Sequence, residues 1–244
     1  MGFPNRLIAK RSLGQNFLVN SNLVEKIANI VVNCHPKHIT EIGPGKGAFT
    51  KVFYEATVLL TLVEKDNDLF LLLQNSYKNA ELYNLDFLDY KLSNPNTTYF
   101  GSLPFNVSKE IIEKILKSDT FNNPAFFIIQ KEVAQKYSNK DANELGFIRE
   151  ISSEFKIFFD IKPGSFYPKP KVTSSFVMFT PKKKIREDVN IDNLEILIHR
   201  SFGMPRKTLK NNLVGYNYRI PTSLEGKRAA ELQLSDYVSI LQHS

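Results

Sequence analysis

Residues 39–50 read Ile39-Thr40-Glu41-Ile42-Gly43-Pro44-Gly45-Lys46-Gly47-Ala48-Phe49-Thr50. Ile39 to Ile42 form the end of a short buried strand. Gly43, Gly45 and Gly47 predict a tight turn, and Ala48-Phe49-Thr50-Lys51-Val52-Phe53 can open a helix. Strand, glycine turn and helix make the front half of a βαβ unit. A side chain at these glycines would hold the backbone away from anything lying over the turn. A second strand, Val58-Leu59-Leu60-Thr61-Leu62-Val63, ends at Glu64, about 20 residues beyond Gly43. A carboxylate at this distance can accept hydrogen bonds from two vicinal ribose hydroxyls.

The glycine spacing narrows the ligand. The third glycine comes one residue earlier than in G-x-G-x-x-G, and no Gly-Lys-Ser/Thr follows, which excludes a phosphate-binding P-loop. Glu41 would repel a pyrophosphate and attract a cation. A nucleoside carrying a positive charge, such as S-adenosylmethionine, therefore suits the turn better than NAD. A turn with no ligand is the competing reading of this segment alone, because isolated glycine motifs are weak signals.

The chain has 244 residues, 42% of them hydrophobic, enough for a medium domain with a proper core and a small second one. No apolar run approaches the ~18 residues of a membrane span, and the N-terminus lacks the apolar stretch of a signal peptide. Cys34 is the single cysteine, so neither an intrachain disulfide nor a cysteine-based zinc site is expected. His35, His38, His199 and His243 show no metal-ligand spacing, and no metal is expected. A reducing cytoplasmic location is the default. The net charge of +7 favours a polyanionic partner, nucleic acid before anionic membrane.

Outward from the glycine turn, residues 1–11 read as a flexible basic arm. Ser12 to Leu18 is too short for a core element and bends at Gly14. Asn20 or Ser21 caps a helix whose apolar face is Leu23, Val24, Ile27, Ala28, Ile30 and Val31, ended by Pro36. Beyond Glu64, Leu69–Gln74 reads as a helix and Ala80–Asn84 as a third strand, with Asp86 just past it. Thr97–Gly101 is a fourth strand and Ala125–Ile129 a fifth. Helices are expected from Ser108 or Lys109 to Leu116 and over Lys131–Tyr137. Phe155–Phe159 and Val172–Met178 are two late strands, hairpin-like, separated by a proline-rich stretch. This alternation predicts an α/β fold with a mostly parallel sheet over residues 1–180. Lys182, Lys183, Lys184 and Arg186 then form a charged linker, and residues 181–244 read as a small all-helical domain.

In doubly wound α/β sheets, ligands bind outside the carboxyl ends of the strands. The turn at 43–47, Glu64, Asp86 and Ser102-Leu103-Pro104-Phe105 all fall there. Either acid taken alone is more commonly a solvated turn carboxylate; together they describe a site. Asp86 can accept from the exocyclic amine of an adenine. The segment 102–105 fits methyl transfer to a base amine, a poor nucleophile because its lone pair is delocalised. Acceptors around the NH₂, namely the oxygen of residue 102 and a backbone carbonyl held rigid beside Pro104, favour the pyramidal form that attacks. The ring of Phe105 can stack on a flipped base, worth roughly 1–3 kcal/mol.

These residues resemble the rRNA adenine N6-dimethyltransferases. The matching segments are Ser12-Leu13-Gly14-Gln15-Asn16-Phe17-Leu18, Glu41 to Gly45, Val63-Glu64, Asp86, Leu103-Pro104-Phe105-Asn106-Val107-Ser108, Gln130 to Ala134, Phe166 to Val172, and Arg206-Lys207-Thr208-Leu209. Gln130 to Ala134 and the proline segment look like the small-subunit branch rather than the macrolide-resistance branch. The resemblance implies a Rossmann-like methyltransferase sheet with a helical C-terminal domain. It implies S-adenosylmethionine contacts by Asn16, Leu18, Gly43, Glu64 and Asp86, and the expected cofactor set also takes in Gln15, Gly45 and Ser102. The reaction it implies is dimethylation of two adjacent adenines in a small-subunit rRNA hairpin loop, by a monomer without membrane attachment.

Three positions depart from the family pattern. Ser102 stands where Asn is usual, Phe105 where Tyr is usual, and Leu85 where Gly is usual. Ser102 motivates an alternative, an RNA-binding assembly or transcription factor that kept the fold and lost the chemistry; large-subunit methylation is a further one. Lys10, Arg11, Lys169, Lys171, Arg206 and Lys207 are the expected RNA contacts, with Arg200 and Lys210 beside them. Binding to rRNA should weaken steeply between 50 and 200 mM salt, in the regime described for phosphate contacts; a flat response in a filter-binding titration would contradict this basic-face assignment.

Overall fold

A computed structural model of the chain describes residues 15–56, 58–138, 142–182 and 189–243. Lys10 and Arg11, with the rest of the basic arm, lie outside the described residues. The first elements are β1 (Phe17–Leu18), α1 (Ser21–Val32), β2 (His38–Ile42), α2 (Ala48–Glu55), β3 (Leu59–Val63), α3 (Asn67–Ser76) and β4 (Glu81–Tyr83). Then come β5 (Thr97–Ser102), α4 (Ser108–Leu116), β6 (Ala125–Gln130), α5 (Lys131–Ser138), α6 (Glu144–Ser152), β7 (Ser153–Ile161), β8 (Phe166–Tyr167) and β9 (Ser174–Pro181). The last four helices are α7 (Ile191–Ser201), α8 (Leu209–Asn212), α9 (Thr222–Glu225) and α10 (Leu234–Gln242).

α1 and α3 start where a side chain replaces a missing backbone partner. Asn20 accepts from the Leu23 N–H, and Asp66 from the Asp68 N–H. α1 then buries Val24, Ile27, Ala28 and Val31, the stripe its periodicity predicts.

Seven strands form one sheet in the order β4-β3-β2-β5-β6-β9-β7. β4, β3, β2, β5 and β6 run parallel, and β9 is antiparallel to β6. The chain builds outward from β2 to β4, then returns to the other side of β2 with β5. Strand order thus reverses between β2 and β5, where two neighbouring strands send their chains in opposite directions and leave a crevice. Central strands are apolar because helices cover both faces; Ala125 to Ile129 are all buried. Phe100 is the centre of an aromatic group, with Phe49 at 4.7 Å and Phe53 at 5.0 Å between ring centroids, both edge-on.

Phe17 and Leu18 correct the expectation for the N-terminal segment. They pair antiparallel with Tyr167 and Phe166, and Leu18 joins the core. Two residues suffice because the partner is a distant segment that brings its own buried Phe166, so local length does not decide the outcome. α6 is likewise absent from the sequence reading. Its cap is Asn143, which accepts from the Gly146 N–H at 3.2 Å.

Contacts divide the chain into two compact units. One comprises Met1–Lys131 and Lys156–Thr180, the other Glu132–Phe155 and Pro181–Ser244. The last crossing falls between Thr180 and Pro181, and residues 132–155, which carry α6, group with the second unit rather than with the sheet. Phe147, Ile148 and Ile151 pack with Leu194, Leu197, Ile198, Leu209 and Tyr237 in the second unit's core. These contacts are remote in sequence, so no local pattern announces them.

Gly101 in β5 has no room for a side chain. A Cβ there would lie 2.8 Å from Leu103 Cδ2 and 3.0 Å from the Ile42 carbonyl. Gly101→Ala should destabilise the protein by about 1–3 kcal/mol through overpacking, read as a lower urea midpoint; an unchanged midpoint would show that β2 and β5 can part without cost.

Candidate active site

A cavity of about 450 Å³ opens at the carboxyl ends of the parallel strands. Its lining includes Gln15, Asn16 and Leu18, Glu41, Gly43 and Gly45, Glu64, Asp86, and the run Ser102-Leu103-Pro104-Phe105. Every residue expected in the cofactor and catalytic sets therefore borders one space at the strand-order reversal.

Gly43, Gly45 and Gly47 all have positive φ, at 61°, 60° and 80°. A Cβ on Gly45 would come within 2.9 Å of the Phe17 ring, and one on Gly47 within 3.0 Å of the Tyr77 hydroxyl. A Cβ on Gly43 would meet no atom of the described residues within 4 Å, and Gly43 borders the cavity. Gly45 and Gly47 are thus required by the protein's own packing, whereas Gly43 leaves room for something else.

Glu64, 6% exposed, sits at the end of β3. Its Oε2 accepts from the Gly45 N–H at 3.0 Å and its Oε1 from the Asp66 N–H at 2.9 Å. Burial pushes its pKa up, and these backbone bonds oppose that. Each oxygen keeps a second lone pair for an outside donor. Asp66 in turn accepts from Gln15 Nε2 at 3.0 Å, anchoring the N-terminal lining.

Glu41 is 2% exposed, and its Oε2 accepts from the Thr50 hydroxyl at 2.7 Å. Burial drives its pKa up to about 8; Thr50 works against the rise and Glu64 adds to it. Asp86 has the opposite setting. Burial works to raise its pKa, but Lys65 Nζ at 2.7 Å and the Leu88 N–H at 2.9 Å outweigh this, and the net shift is downward.

Ser102 ends β5 opposite Ile128 of β6, and the Leu103 N–H donates to the Ile128 carbonyl at 3.1 Å. The Pro104 carbonyl accepts from the Val107 N–H at 3.3 Å, closing the turn into α4. Leu103 is buried; Phe105 is half-buried and borders the cavity.

Phe17, Lys65 and Ser174 also line the cavity and were not singled out from the sequence. Lys65 had a signal, since it follows Glu64 directly. Ser174 had none. Its hydroxyl is fully buried with no hydrogen-bond partner among the described residues, although the residue borders the cavity. The expected RNA contacts are not among the cavity's lining residues. Lys169 and Lys171 are exposed in the first unit, and Arg206 and Lys207 in the second. Among the described residues, no group of three or more His, Cys, Asp and Glu gathers to hold a metal, and no helix is long and apolar enough to cross a membrane.

A mostly parallel sheet whose order reverses above a carboxylate-lined glycine turn is a Rossmann-like fold. The model of the family described as ribosomal RNA adenine dimethylase matches residues 6–242, and the chain belongs to that family. It is 38% identical to ribosomal RNA small subunit methyltransferase A of Malacoplasma penetrans over 220 residues, covering 87% of this chain and 80% of that one. It is 32% identical to the Francisella tularensis protein of the same name over 254 residues, covering 95% and 96%. Among solved structures, a dimethyladenosine transferase from Plasmodium falciparum superposes with a TM-score of 0.77 at 20% identity, over 93% of this chain and 96% of that one. The 23S rRNA methyltransferase ErmE does so with 0.70 at 20% identity, over 90% and 96%. These two likenesses show the fold. Family and fold together imply use of S-adenosylmethionine.

Glu41 generates a pH prediction. Its carboxyl holds a proton in the folded state up to about pH 8 but loses it near 4.5 when unfolded. The stabilisation is complete below pH 4.5 and is lost as pH rises towards about 8. The stability difference between wild type and Glu41→Gln should therefore shift against wild type from pH 5 to pH 8 in urea titrations. A pH-independent difference would show that Glu41 is ionised throughout.

Proposed function

We propose that the chain transfers methyl groups from S-adenosylmethionine to N6 of two adjacent adenines in a small-subunit rRNA hairpin loop. It would serve small-subunit assembly in the cytoplasm as a monomer. The observation that carries this reading is the convergence of Glu64, Asp86 and the Ser102–Phe105 run on one cavity. The small-subunit assignment draws on the names of the Malacoplasma and Francisella relatives and on the Gln130 to Ala134 segment.

The residues present fit the cofactor. The open space over Gly43 admits a ligand close to the backbone. Glu64 has lone pairs for two ribose hydroxyls. Asp86, held ionised by Lys65, accepts from an adenine amine. Gln15, Asn16, Leu18 and Gly45 complete the wall. Glu41 suits a cationic ligand: a nearby positive charge favours its ionised form and draws off the proton it holds at neutral pH. When bound, S-adenosylmethionine supplies a methyl group made electrophilic by its sulfonium.

Toward the substrate, Ser102 Oγ and the Leu103 carbonyl accept from the target NH₂ and favour its attacking geometry. The Pro104 carbonyl is already committed to its turn. Phe105 stacks on the flipped base. Loop adenines are partly unstacked beforehand, which lowers the cost of flipping. The methylated ammonium product is acidic, so no general base of shifted pKa is required. Lys169, Lys171, Arg206 and Lys207, with Lys10 and Arg11, contribute phosphate contacts.

The test is methyl transfer from labelled S-adenosylmethionine to small ribosomal subunits lacking the modification, with large subunits as control. Label should appear in N6,N6-dimethyladenine of the small subunit alone. Absence of label with cofactor binding intact would favour a binding or assembly role and implicate Ser102. Glu64→Ala should weaken S-adenosylmethionine binding at least tenfold, about 1.4 kcal/mol; unchanged affinity by calorimetry would remove Glu64 from the site. Ser102→Asn should preserve or raise the rate, whereas a marked fall would mean that the pocket is adapted to serine.

A further inference from the structure

One segment of the helical unit carries a marked excess of positive charge. Residues 200–228 hold seven cationic side chains, Arg200, Arg206, Lys207, Lys210, Arg219, Lys227 and Arg228, against one carboxylate, Glu225. Glu225 is paired with Lys210 at 2.7 Å. The segment is folded back on itself. Asn212 accepts from the Met204 N–H and donates to the Met204 and Lys207 carbonyls. The Leu209 N–H donates to the Lys227 carbonyl, and Thr208 bridges Arg228. Arg206, Lys207, Lys227 and Arg228 are exposed on this clamped framework.

An aromatic pair belongs to the same segment. The Arg200 guanidinium lies 4.0 Å from the Tyr216 ring centroid, and its Nη1 donates to the Tyr218 hydroxyl at 3.0 Å. The rings of Tyr216 and Tyr218 are 6.3 Å apart. Tyr216 nevertheless stays 45% exposed, reached through Gly215 at φ 86°. A large ring that is fixed by a cation but left uncovered has apolar surface to give to a partner.

We infer that Tyr216, backed by Arg200, is a stacking platform for an unpaired RNA base, whose flanking phosphates lie against Arg206, Lys207, Lys227 and Arg228. A duplex keeps its base faces stacked within the helix, so an exposed tyrosine ring can reach only a base outside it. The exposed part of the ring gives a base a planar surface, and stacking of this kind tolerates any sequence. The excess of cations selects a polyanion. The platform is separate from Phe105, which acts on the methylated base. It rests on the reading that the chain acts on rRNA, and it adds a second point at which that RNA is held.

The experiment is fluorescence anisotropy with full-length protein and two labelled RNAs, a hairpin with an unpaired purine loop and a fully paired duplex of equal length. Tyr216→Ala should lose about tenfold in affinity for the loop hairpin and leave duplex affinity unchanged. Tyr216→Phe should bind both RNAs like wild type, since it keeps the ring. Thermal unfolding should stay cooperative in both variants, with Tyr216→Ala losing only the contacts of the ring with Arg200 and Tyr218. Unchanged loop affinity in Tyr216→Ala overturns the platform, as does an equal loss on both RNAs. A loss seen only with intact small subunits, and not with naked RNA, also overturns it and indicates a protein partner. The methyl-transfer assay on wild type runs alongside. Transfer without a loop-specific loss sinks the platform alone, whereas a loop-specific loss without transfer supports the platform and sinks the enzymatic reading.

Discussion

The bond from the Gly45 N–H to Glu64 is the constraint on which the site depends. It joins the turn after β2 to the end of β3 and fixes both the backbone path and the carboxylate. The turn can take that path only with positive φ at three positions, which a side chain would strain. Two of those glycines are also packed against rings, Phe17 on one and Tyr77 on another. The N-terminal segment, α3 and the two central strands are thereby locked around the same few atoms. The remaining glycine, Gly43, meets no atom of the described residues on its open side.

Three carboxyl groups border the cavity, and their surroundings set them apart. Glu41 is buried with only a hydroxyl donor and holds its proton. Glu64 is buried but accepts two backbone N–H bonds. Asp86 is paired with Lys65 and stays charged. Set apart in this way, the three carboxyls do not assemble three uncompensated charges in one cavity. The same residues would be poorly suited to a pyrophosphate.

The two compact units divide the work by composition. The sheet unit holds the carboxylates, the glycine turn and the acceptors at the end of β5. The helical unit holds the densest run of cations and the stacked arginine and tyrosines. A base-modifying protein needs both kinds of surface. Chemistry on an amine demands a dry, shaped pocket, and grip on RNA demands exposed positive charge that counterions can leave.

The sequence by itself determined the βαβ start, the order of the parallel strands' elements and most of the residues that line the candidate site. Local rules govern those features: glycine for left-handed backbone, an acid about 20 residues later, apolar runs for buried strands. Asp86 and the Ser102–Phe105 run were legible because strand ends are where such sheets bind ligands. Only the tertiary structure decided that Phe17 and Leu18 pair with Tyr167 and Phe166. It alone sent residues 132–155 to the helical unit, aimed Lys65 at Asp86, and left the Ser174 hydroxyl without a partner among the described residues. Each of these joins residues far apart in the chain. Their energies come from contacts that no local propensity encodes, so they exist only once the whole chain has folded.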